Sequence, residues 1–336
     1  MNELLDEVYE RLCATGPEFE GYLSNHAPMA ADALLRLDPD ANVHAWLDRY
    51  VDRLDDAPAQ VEPLDPARWR EALGDAGRLG DWVAHFDRQL ADHPWTTVLA
   101  TWWPRLLPGS VASATHCLIR TGHVVRALRE QETGPRRAEL AAALGYWAAR
   151  WQPVPGAVPP TGHRPPGPAM DGVPVLPGAG GVTERLALLS SRADWSPALA
   201  AAAPVLLDQV PAALATLTDA AVVRYARWAS GSPVMLVHMA TAPRALGLVL
   251  PSLPRDLWPA TARAAWTTSA AIAAAYRPAI DRQDPDGDVT AEQLTEAAVS
   301  HGDEHVLKFA EVALESASRA TPQALGAGLR AAQLIN

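Results

Sequence analysis

Cysteine is nearly absent from this chain: Cys13 and Cys117 are the only two in 336 residues. Two thiols build no disulfide framework and no cysteine-based zinc module, so a reducing cytoplasm fits best. Positive charge is also short. Twenty-eight Lys and Arg face 39 Asp and Glu, a net charge of −11. That balance argues against nucleic acid or an anionic membrane as the main partner. Uninterrupted apolar runs are missing too. Alanine-rich stretches such as 198–216 are broken by proline and aspartate, and none reads as a membrane span. The acidic start, Met1–Glu7, lacks a signal-peptide pattern. No dinucleotide-binding fingerprint follows a strand, so a nicotinamide or flavin fold is not visible.

The sharpest scarcity is lysine. Lys308 is the single one, and the other 27 basic residues are arginine. An amine can lose its proton, attack as a nucleophile or take up CO2 as a carbamate, which a guanidinium cannot do. A carbamate is a carboxylate on a long arm, and so a metal ligand. Lys308 closes the stretch His301-Gly302-Asp303-Glu304-His305-Val306-Leu307-Lys308. On one continuous helix, His301, His305 and Lys308 share a face. If Gly302 breaks that helix, Asp303 caps a second one running to about 318. The plain alternative is a lone lysine on a solvated face.

What is present in abundance is apolar and helical. Apolar residues make up 49% of the chain, enough for a large core. Helical periodicity covers 3–14, 27–37, 40–54, 66–75, 79–91, 95–106, 111–129 and 137–151, and resumes from 183 to about 279. Asn25 suits an N-cap and Pro28 the first turn behind it, which puts His26 at a helix N-terminus. Ser110 suits the cap of the 111–129 helix. Thr290-Ala291-Glu292-Gln293 is a capping box. Asp284-Pro285-Asp286-Gly287-Asp288 has its glycine misplaced for a calcium loop and reads as a turn. Segment 153–181 is rich in proline and glycine and reads as a crossover or lid. The expected architecture is an all-α multi-helix bundle in one domain. Its halves, 1–152 and 182–336, are joined by that long loop.

Six histidines stand out. His116, Arg120 and His123 line one face of the 111–129 helix, with the outer two about 10 Å apart along its axis. One is expected to be a ligand, the other a neighbour of the ligand shell or of substrate. His238 lies among Val, Leu and Met, so it needs a partner or a metal. With His26, His301 and His305, these imidazoles suit iron, copper, zinc or nickel. Asp303, Glu304 and Glu311 are candidate carboxylate ligands, and a carboxylated Lys308 would supply an anionic oxygen. Read plainly, the same histidines are satisfied core groups.

Together, Asn25-His26-x-x-Met29, His116-x-x-Ile119-Arg120-Thr121-x-His123, the His238 segment with Thr241, and His301-Gly302-Asp303-x-His305-x-x-Lys308-x-x-Glu311 resemble the questin oxidase-like family. The resemblance runs from about 20 to 315. It implies oxygen-dependent opening of aromatic polyketide rings, anthraquinones among them, and in some members NADPH-using Baeyer–Villiger chemistry.

The leading expectation is therefore a mononuclear non-haem iron oxygenase acting on an aromatic polyketide and O2. The metal ligands are drawn from His26, His116, His123, His238, His301, His305 and Lys308. Arg120 would hold a phenolate or carboxyl oxygen in a tryptophan-lined pocket. NADPH would serve as an external reductant. Two rivals stand beside it: a metal-free, NADPH-assisted monooxygenase with Lys308 as base, and a non-catalytic polyketide-binding protein.

Overall fold

A computed structural model describes residues 2–21, 23–178, 180–281 and 288–336. The turn read at Asp284–Gly287 lies outside the described residues. The fold is all-α. Its one sheet among the described residues is a two-stranded antiparallel hairpin, β1 (Glu18–Phe19) and β2 (Leu23–Ser24).

The chain divides into two compact units, Met1–Pro153 with Leu248–Pro254, and Val154–Gly247 with Arg255–Asn336. The division at 153 falls where composition turns proline-rich. The proline-rich segment, however, belongs to the second unit.

Unit 1 holds α1 (Asn2–Leu12), α2 (Ala27–Leu37), α3 (Val43–Val51), α4 (Leu79–Asp92), α5 (Trp95–Leu106), α6 (His116–Glu130) and α7 (Gly134–Ala149). The predicted helix at 66–75 is instead two short 3-10 turns, Trp69–Glu71 and Ala76–Arg78. Helices α4 and α7 pack closely because Gly145 has no side chain: a Cβ there would meet the Val83 backbone N at 2.8 Å. Beside them, Trp82 stacks on Phe86, and Trp102 meets Trp69, Trp82, His85 and Phe86 edge to face. Burial in that aromatic cluster lowers the His85 pKa to about 4, keeping it neutral. Tryptophan here is mainly core material, since ten of the twelve are buried.

Unit 2 holds α8 (Pro166–Asp171), α9 (Val182–Ala187), α10 (Trp195–Ala200), α11 (Val210–Trp228), most of α12 (Pro233–Val249), α13 (Trp258–Tyr276), α14 (Ala291–His301), α15 (Glu304–Ser318) and α16 (Ala324–Leu334). The segment expected as a crossover or lid is anchored within this unit. Ala169, Met170, Val173 and Leu176 are buried, Arg224 grips Asp171 through two hydrogen bonds, and the Leu176 N–H donates to Ala274 O. The Thr290 capping box forms as its spacing predicts, with both reciprocal bonds made. Pro233–Ser252 is long and apolar enough to cross a membrane by composition, but 72% of its most apolar window is buried inside the protein.

The largest departure from expectation precedes α6. Ser110 does not cap a helix at 111. The chain runs through Ser113, Ala114 and Thr115 at φ 45°, 54° and 75°, and α6 begins only at His116. Three consecutive left-handed residues, none a glycine, cost roughly 1–2 kcal/mol each. Such strain persists where surrounding packing dictates it, most often at functional sites. Ala114→Gly should therefore raise the free energy of unfolding by up to about 1 kcal/mol in urea titration. A loss of about 1 kcal/mol, the ordinary cost of glycine in a right-handed turn, would contradict this backbone.

Candidate metal-binding groups

The predicted site residues fall in both units: His26, His116, Arg120 and His123 in unit 1, and His238, His301, His305 and Lys308 in unit 2.

In unit 1, His26 immediately precedes α2. The Asn25 side chain accepts from the Ala27 N–H at 3.0 Å, so it caps as expected, although His26 occupies the cap position itself. The His26 N–H donates to the Tyr50 hydroxyl oxygen at 2.9 Å, and its Nδ1 lies 3.4 Å from that oxygen. His26 Nε2 lies 2.8 Å from His116 Nε2, with the rings nearly perpendicular at 89°. His116 Nδ1 is 2.5 Å from the Ser113 carbonyl. A carbonyl only accepts, so Nδ1 carries the proton and Nε2 keeps its lone pair. The strained turn thus aims the Ser113 oxygen and fixes the tautomer of His116, as outer partners do for metal-ligating histidines. The 2.8 Å separation fits a hydrogen bond. It also fits two ligands at right angles around a metal, about 2.9 Å apart for bonds of about 2.0–2.1 Å.

His123 is turned to a different partner. Its Nδ1 donates to Asp32 Oδ2 at 2.8 Å, and Asp32 also takes Arg36 Nε at 2.9 Å and both an Nε and an Nη2 contact from Arg126. Burial alone would raise the Asp32 pKa, but Arg126, His123 and Arg36 hold it far below the usual carboxylate range. Arg120 is bidentate to Glu139, through Nε at 2.6 Å and Nη2 at 2.7 Å. Its buried Nη1 has no hydrogen-bond partner, leaving one donor that an anionic oxygen could use. Sequence spacing alone does not single out Asp32 or Glu139. The signal for Asp32 was a lone carboxylate inside the apolar stripe Met29-Ala30-Ala31-Asp32-Ala33-Leu34-Leu35.

In unit 2, Gly302 ends α14 in the left-handed conformation at φ 73°. The Asp303 carboxylate then caps α15, accepting from the N–H groups of His305 and Val306. The break separates the two histidines. His301 is exposed, its Nε2–H donates to Ile335 O at 3.0 Å, and its Nδ1 accepts from the Asp303 N–H. With both ring nitrogens committed, His301 keeps no lone pair for a metal.

His305 and Lys308 sit one turn apart on the buried face of α15. His238, on α12, lies 5.5 Å from His305 between ring centroids. Its Nδ1 donates to Met235 O at 3.1 Å, which leaves Nε2 as a lone pair. Burial first, then His305 and Lys308, drive the His238 pKa well down, so the ring is neutral. Arg244 clasps α12 to α15 through Nη2 to Glu311 and Glu315, each at 2.5 Å. That takes Glu311 out of the set of free carboxylates. Ligand atoms of Asp303, Glu304 and His305 all lie within 4.8 Å of one another. Burial would raise Asp303, but hydrogen bonds and charge from His305 hold it at about 2.

The Lys308 amine is buried, 2% exposed, and makes no hydrogen bond among the described residues. Burial lowers its pKa to about 8, against the partial pull of Glu304 and Asp303. Among these groups of unit 2, His305 with Asp303 and Glu304 could hold a metal ion. No protein-family model matches the chain, and no curated protein matches it.

The amine makes stability depend on pH. Its folded pKa of about 8 is depressed below the ordinary 10.5. Between those values the unfolded chain holds the extra proton, so stability rises as pH climbs from 8 to 10.5. The full cost, about 3 kcal/mol for the shift, applies below pH 8. In metal-free protein, Lys308→Met should raise the urea midpoint at pH 7, and the gain should fade by pH 10.5. A variant no more stable than wild type at pH 7 would contradict the buried, unpartnered amine.

Proposed function

We propose that the chain is an oxygen-dependent oxygenase that opens a ring of an aromatic, anthraquinone-like polyketide. The proposed metal is mononuclear non-haem iron, held in unit 2 by His238, His305 and a carboxylated Lys308. The observation that carries this reading is the Lys308 amine itself: the only lysine, buried, unpartnered and lowered to about 8. An uncompensated buried cation is expensive and is retained only for a use.

The donor set suits the metal. Two imidazoles and one anionic oxygen would form the 2-His-1-carboxylate pattern of non-haem iron oxygenases, with positions left open. Lys308 supplies the oxygen after its neutral amine attacks CO2: a nitrogen–carbon bond forms, the amine proton leaves, and a carbamate replaces an unpaired cation. A pKa of about 8 keeps part of the amine neutral at physiological pH. His238 presents Nε2 because Met235 O holds its Nδ1 proton. The Arg244–Glu311 ion pair keeps α12 and α15 in register, so His238 and Lys308 stay together. Iron bound there would supply the one-electron chemistry that lets O2 react with a closed-shell aromatic ring. The substrate class rests on the motif resemblance to the questin oxidase-like family. A cytoplasmic setting suits the free thiols of Cys13 and Cys117.

The same amine favours a second reading. With its pKa near 8, Lys308 could serve as the general base of a metal-free, NADPH-assisted oxygenase. Oxygen uptake with an anthraquinone-type substrate separates the two. The iron reading predicts that uptake disappears after stringent metal removal and returns with ferrous iron. Full activity without metal, dependent on NADPH, would overturn it in favour of the base.

A further inference from the structure

The two buried imidazoles of unit 2 have different groups behind them. For His238 it is a backbone carbonyl, Met235 O, which takes the Nδ1 proton. For His305 it is a carboxylate: Asp303 Oδ1 stands 3.5 Å from its Nδ1.

The chain builds this contact with care. Gly302 ends α14 at φ 73°, and Asp303 follows in an extended conformation at the cap of α15. Asp303 Oδ1 accepts from the His305 N–H at 2.8 Å and from the Val306 N–H at 3.2 Å. One oxygen therefore faces both the backbone and the ring of His305. It cannot swing away without giving up the cap of the helix. A further layer holds Asp303 from behind. Its own N–H donates to His301 Nδ1 at 3.3 Å, and the His301 Nε2–H donates to O of the buried Ile335. His301 thus acts on His305 through Asp303, instead of sharing a ligand with it.

Charge decides what the contact does. At 3.5 Å it is longer than a charge-assisted hydrogen bond, so the field of the carboxylate is what acts on the ring. Burial would raise the Asp303 pKa, but His305 and the capping N–H groups hold it at about 2, so the carboxylate is ionised at neutral pH. A bare Nδ1 would turn its lone pair on that negative oxygen, whereas a protonated Nδ1 turns an N–H dipole toward it. The side chains are 10% and 21% exposed, so water screens the difference only in part. With the proton on Nδ1, the lone pair lies on Nε2, the same tautomer that Met235 O gives His238. A carboxylate behind the ring also makes it a stronger donor than a carbonyl does. Asp303 is near enough to His305 and Glu304 to be a ligand itself, but its Oδ1 is already spent on the cap.

We infer that Asp303 is the positioning residue of His305: its carboxylate keeps the ring proton on Nδ1 and leaves Nε2 to donate to a metal. The inference deepens the iron reading and rests on it for the metal alone; the tautomer is a property of the metal-free chain.

The test uses Asp303→Asn, which keeps a capping oxygen and removes the charge. Nitrogen-15 NMR of metal-free protein in alkaline buffer, with the His305 signals assigned by their loss in His305→Gln, should show the wild-type proton on Nδ1. In Asp303→Asn it should move toward Nε2. Anaerobic equilibrium dialysis with ferrous iron should show affinity lower by roughly 10–100-fold in Asp303→Asn. The unfolding midpoint of Asp303→Asn should stay close to wild type, while Asp303→Ala, which loses the cap, should unfold earlier. A wild-type ring protonated on Nε2, a tautomer unchanged in Asp303→Asn, or iron bound equally tightly by both proteins would each overturn the inference. A wild type that binds no iron, yet shows the Nδ1 proton and its shift in Asp303→Asn, would overturn the iron reading and uphold the role of Asp303.

Discussion

An amine sits inside an apolar helix pair with no partner, and the arrangement of unit 2 follows from accommodating it. Removing an ammonium group from water is costly unless something replaces its hydration. Around Lys308 no hydrogen bond does so. The protein responds by lowering the amine pKa and keeping the neighbouring His238 neutral, so that positive charges do not accumulate. A site tuned in this way is costly as it stands, and on the proposed reading converting the cation to an anion that a metal can share would relieve it. Stability is given up locally, and function is the reason that the account offers.

The supports around these groups are of two kinds. In unit 2, an ion pair fixes the helices: Arg244 on α12 holds Glu311 and Glu315 on α15. Replacing it with apolar packing would leave the helices freer to slide, and His238 with them. In unit 1, backbone strain does comparable work. The left-handed run at Ser113–Thr115 directs a carbonyl at His116 and sets which ring nitrogen is bare. The His123–Asp32 pair shows a third device, a buried carboxylate held ionised by two arginines.

Much of this was legible because it is local. The capping box at Thr290, the break at Gly302 and the Asp303 cap are each set by residues within four positions, and the singularity of Lys308 is read directly from composition. The all-α class followed from periodicity. What escaped was set by tertiary contact. Ser113, Ala114 and Thr115 carry no left-handed preference, so nothing in their identities announced the turn. The 66–75 stretch has helical spacing but settles as two 3-10 turns split by Gly74, whose φ of 81° interrupts a helix. The anchoring of the proline-rich segment is not legible locally because its partners, Arg224 and Ala274, lie far along the chain. His301 seemed to share a face with His305 only if Gly302 stayed helical, which its φ of 73° forbids.

The central claim is that Lys308 exists to hold a metal. Metal content by mass spectrometry tests it most directly, on wild type and Lys308→Ala, both purified without chelator. The account predicts near-stoichiometric iron in the wild type and little in the variant, with the wild-type protein heavier by one CO2 under non-denaturing conditions. Equal metal in both proteins, or none in either, would contradict it.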